Sequence, residues 1–136
     1  MKLKYQIDRE TNKQPEALLD KAVSVLTNQD YVILERTEST LSFKDDNWQI
    51  RSKNKILSKV DQGKFEIAAS KDGSRITLIY YVSFLPEFII TLILIIIGIT
   101  QSYYVVIIAV PLLVQLFIRI DTLEASSNEM ITRVIV

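Results

Sequence analysis

The sequence predicts an α+β protein: a small N-terminal domain, ordered strand, helix and antiparallel strands, followed by a two-helix transmembrane hairpin. Three observations predict it. Apolar and polar residues alternate at the start of the chain and again after Tyr31, with one stretch of helical spacing between them. From Phe88 to Ile118 no side chain is charged. Residues 1–83 are read as a cytoplasmic α+β domain, 84–120 as the hairpin with its turn near 100–104, and 121–136 as a C-terminal tail that docks, as a further strand of a sheet or in a partner's groove.

Leu3, Tyr5 and Ile7 alternate with Lys4, Gln6 and Asp8, which predicts a half-buried first strand. Pro15 and Glu16 suit the first turn of a helix, because proline loses no useful donor there and an acid meets the positive dipole end. Leu18, Leu19, Ala22, Val23 and Leu26 then recur at helical spacing, and Thr27 to Asp30 ends the helix. From Tyr31 the period becomes two: strands are predicted over Tyr31–Arg36 and around Leu41 and Phe43. Asp45-Asp46-Asn47 reads as a turn; a calcium loop needs further spaced oxygen ligands and a closing glutamate. A less regular section reaches to Val60. Phe65, Ile67 and Ala69 mark the next strand, Lys71-Asp72-Gly73-Ser74 a hairpin turn with Asp-Gly at its centre, and Arg75–Val82 the last strand.

The uncharged stretch admits three readings. As one helix it is roughly 46 Å long, against a hydrocarbon core of about 30 Å. Divided at Gly98 to Tyr104, where the polar residues sit, it gives two helices of about 15 to 18 residues, near the lower limit for spanning. A helical pair buried inside a globular protein is the third reading, opposed by how few residues precede Ser83 to enclose it. The hairpin is preferred. Lys71, Arg75 and Arg119 lie near its base and no basic residue lies in its turn, so the positive-inside rule makes this an integral membrane protein with both termini cytoplasmic. Tyr80, Tyr81 and Phe84 then fall at the interface, and Glu87 serves as an acid at a helix N-terminus. Pro111 removes a backbone donor and predicts a kink in the second helix.

Composition narrows the function. Sixteen basic residues balance sixteen acidic ones, which disfavours nucleic acid as a partner. Histidine and cysteine are absent, removing disulfides, the usual zinc ligands and the imidazole base, so neither metal nor cofactor is expected. The three glycines, 63, 73 and 98, form no phosphate-cradling loop. The charged N-terminus MKLKYQIDRE lacks the apolar core of a signal peptide. A non-enzymatic protein is expected.

Two groups of residues carry what remains. Arg51, Lys53, Lys55 and Lys59 cluster around Trp48, and beside a cytoplasmic leaflet they would contact anionic lipid; the competing account is a solvated sheet face with tryptophan in its core. Thr91 and Gln115 come level if the helices turn near Gln101, as a helix–helix contact. The expected function is a membrane-anchored interaction or regulatory protein, held at the bilayer and open to a protein partner. The alternative is a self-associating protein whose hairpins form an oligomeric pore or sensor.

Overall fold

The computed structural model describes residues 2–45, 60–101 and 104–136. Its elements run β1 (Lys2–Thr11), α1 (Pro15–Asn28), β2 (Tyr31–Arg36), β3 (Thr40–Asp45), β4 (Gln62–Ser70), β5 (Gly73–Ser83), α2 (Leu85–Gln101) and α3 (Tyr104–Ile135). The five described strands form one antiparallel sheet in the order β1-β5-β4-β3-β2. The molecule is α+β, with an N-terminal strand closing the far edge beside the last one. β1 pairs with β5 from Lys2 opposite Ser83 to Thr11 opposite Ser74.

Alternation decides which face is covered. Leu41, Phe43, Phe65, Ile67, Ile76, Leu78, Tyr80 and Val82 all point to one side and are buried. Aromatic contacts knit this layer: Tyr31 meets Phe43 edge-on at 5.0 Å, Phe43 meets Phe65 at 5.7 Å, and Tyr5 stacks on Tyr80 at 5.2 Å. α1 covers it with Leu18, Leu19, Ala22, Val25 and Leu26. The other face is polar and carries ion pairs between Arg75 and Glu10 and between Lys64 and Glu66.

Local chemistry sets the turns. Asp30 takes φ 60° just past α1, a left-handed cap that a short polar side chain tolerates. Thr37 accepts from the Thr40 amide at 3.0 Å and shares a 2.7 Å hydroxyl contact with Thr40, closing the β2–β3 turn. The β4–β5 turn differs from expectation by one residue. Ser70 pairs with Gly73, so Lys71 and Asp72 form the loop and Gly73 opens β5. Gly73 has φ 153°, and a Cβ there would lie 2.2 Å from the Thr11 carbonyl oxygen. The glycine serves the approach of β1 as much as the turn.

The expected transmembrane hairpin is corrected by helix length. Among the described residues no helix is long and apolar enough to cross a membrane. α2 has 17 residues, about 26 Å of helix. α3 has 32 residues, but its uncharged run stops at Ile118 after about 23 Å, and Arg119, Asp121 and Glu124 follow. Both fall short of a hydrocarbon core of about 30 Å. The membrane anchor and the integral-membrane placement with both termini cytoplasmic fall with the span. Tyr80, expected at a lipid interface, is instead a core residue with 2% of its surface exposed.

The tail is corrected too. Its β-prone end is no strand but the last turns of α3, which runs unbroken from Tyr104 to Ile135. Leu123, Met130, Ile131 and Val134 lie on one side of this helix and are buried in the same core as Phe43 and Tyr80. Arg9 on β1 donates to the Asn128 side chain at 3.2 Å, tying the helix to the edge strand.

Candidate functional site

α2 and α3 leave the α+β core together and pack along each other. Asp61 fixes where they begin. Its carboxylate accepts the Ser83 amide at 2.7 Å and its carbonyl accepts the Asp45 amide at 2.9 Å, so the end of β5 is held against the start of β4. Phe84 then starts the helix, its carbonyl accepting from the Phe88 amide at 3.0 Å.

The hairpin is built inside out. Among its described residues up to Ile118, the buried ones are Thr91 and Gly98 on α2 and Ala109 on α3. Small residues let the two backbones approach closely. Most of the large side chains point away: Ile89, Ile93, Ile96, Ile107, Ile108, Leu113 and Phe117 are all exposed, and Ile99 is 79% exposed, while Leu94, Leu112 and Leu116 are half-buried. A helical pair facing water has the opposite arrangement.

At the base of this apolar surface sits a polar cluster. Glu87 in the first turn of α2 pairs with Arg119 of α3 through Oε1 and Nη1, with 37% and 13% of the side chains exposed. The guanidinium carbon lies 5.6 Å from the centre of the Phe84 ring, adding a cation–π contact. Glu87 Oε2 and Arg119 Nε are enclosed and have no hydrogen-bond partner among the described residues. Between the helices lies a cavity of about 110 Å³ lined by Glu87, Ile90, Thr91, Leu112, Gln115, Leu116 and Arg119. The Thr91 hydroxyl donates at 2.8 Å to the Glu87 carbonyl.

The two residues expected to meet across the hairpin, Thr91 and Gln115, thus line one cavity, with the Thr91 hydroxyl proton committed to its own helix. The basic cluster of Trp48, Arg51, Lys53, Lys55 and Lys59 lies outside the described residues. The Glu87–Arg119 pair is what sequence reasoning missed. Its signal was present: both residues stand sixteen positions from position 103, as Thr91 and Gln115 both stand twelve. Residues equally spaced on either side of one position come level wherever two helices form a hairpin about it.

Chemically the cluster offers one carboxylate acceptor, one guanidinium donor and a carboxamide, with opposite charges already balanced. Such a set suits a neutral polar group better than a charged one. The chain matches no family model, no curated protein and no solved structure, so the reading of this site rests on its geometry.

Proposed function

We propose that the chain is a non-catalytic interaction protein that self-associates: the α2–α3 hairpin of one copy docks on the same hairpin of a second, and the α+β unit at its base serves the assembly as a binding or regulatory part. The observation that carries this is the outward display of Ile and Leu from α2 and α3. The largest apolar patch on a typical monomer covers about 300–600 Å², and this one wraps both helices.

What covers the hairpin must be as free of charge as the hairpin is from Phe88 to Ile118. A second hairpin meets that requirement and also matches it in length. One face of two helices, each about 25 Å long and about 10 Å wide, projects roughly 500 Å². With side chains counted this approaches the about 800 Å² per partner that stable pairs bury. A two-fold arrangement uses the same patch on both copies and closes the assembly.

Light scattering during size exclusion in detergent-free buffer tests it. The parent is expected at a defined multiple of the 15.6 kDa chain mass. Ile96→Glu combined with Ile99→Glu is expected to return it to the mass of one chain with an unchanged far-ultraviolet circular dichroism spectrum. A parent found as a single chain, as undefined aggregates, or bound to phosphatidylcholine vesicles without self-association overturns the proposal.

A further inference from the structure

Glu87 Oε2 and Arg119 Nε are an acceptor and a donor enclosed beside one cavity, and among the described residues nothing is bonded to either. Leaving such groups unpaired is costly, and more so for charged ones. The missing partner has a definite chemistry. It must offer a donor to the carboxylate and an acceptor to the guanidinium, and it must be uncharged because the ion pair is already balanced. A carboxamide meets all three conditions.

The hairpin itself carries one. Between Phe88 and Ile99 on α2 the single hydroxyl, Thr91, is buried and donates to its own helix. Between Tyr104 and Ile118 on α3, Gln115 is the only amide side chain, and it is exposed. We propose that, in the self-associated form on which this inference rests, the cavity of each copy receives the Gln115 carboxamide of the other. A polar lock then sets the two hairpins parallel and in register. The levels agree with this. Gln115 precedes Arg119 by one turn and lines its own copy's cavity, so a two-fold axis along the hairpins brings the partner's Gln115 to the same height. An antiparallel pairing with full overlap would set Gln115 against Ile99 and Ile107, where it meets no polar partner. A single polar residue in an apolar helical seam is a known way to fix register and orientation.

Because the chain contains no cysteine, a single reporter reads the register cleanly. Ile108 is exposed and lies two turns before Gln115 on the same side of α3. Ile108→Cys, oxidised under mild conditions, is expected to give a disulfide-linked dimer on a non-reducing gel. Adding Gln115→Leu is expected to leave the assembly mass unchanged while the cross-linked fraction falls roughly five-fold, the scale of one interhelical hydrogen bond. An associated mass with no cross-link, or with one indifferent to Gln115→Leu, overturns the lock and leaves self-association standing. Water alone in the cavity of a crystallised assembly also overturns the lock. A parent of single-chain mass overturns the self-association reading, and the lock with it.

Discussion

Tyr80 shows how one residue ties sheet, helix and solvent conditions together. Its ring stacks on Tyr5 and lies under α3, and burial pushes its phenol above the ordinary value of 10.0, partly offset by the Ser127 hydroxyl. Folding therefore favours the neutral form. That contribution is whole below about pH 10, where tyrosine in the unfolded chain is also protonated, and is lost as pH rises through the higher folded-state value. Urea midpoints measured from pH 8 to pH 11 should fall at the alkaline end, and Tyr80→Phe should fall less steeply. Asp8 tells the opposite story: a hydrogen bond from Thr77 lowers its carboxyl, so its contribution is lost on the acid side. Arg119 is the third telling residue. Its charge is held by Glu87 and by the Phe84 ring, yet either end of that pair has a sufficient local explanation in sequence, an acid opening one helix and a base closing an apolar run.

At the scale of elements, α3 decides how much of the fold could be read in advance. Leu123, Ser127, Met130, Ile131 and Val134 are buried at intervals of four, three, one and three residues, which is helical spacing. The signal competes with a run of β-branched residues in MITRVIV, whose composition favours a strand. Tertiary burial against β1, β5 and α1 overrides that propensity. Ile131 is fully buried, so Ile131→Ala should cost about 2–5 kcal/mol in denaturant unfolding. The exposed Thr132→Ala should change little. The sheet was easier to read, because Leu3, Tyr5 and Ile7, or Phe65 and Ile67, alternate without interruption. The β4–β5 turn was displaced by one residue since Gly73 answers to Thr11, a contact across strands that no local pattern records. The candidate site was half legible: level positions followed from the turn, but the pairing of two distant charges did not. The span failed on a length that burial and charge at Arg119 set, beyond what hydropathy alone conveys.

Taken whole, the molecule joins a core of ordinary polarity to a helical pair of inverted polarity, and the two share one helix. If copies associate through that pair, folding and association are linked, and stability depends on chain concentration. A ten-fold rise in concentration should raise the thermal midpoint by roughly 2–5 °C, and the Ile96→Glu, Ile99→Glu chain should show no such dependence. The shared helix also imposes an order on biosynthesis. Leu123, Met130, Ile131 and Val134 are made after the greasy residues 88–118, yet the sheet needs them to close its interior. While the chain grows, the stickiest part of the protein is made before the part that finishes the fold, so the core cannot close until after the apolar helices have been synthesised.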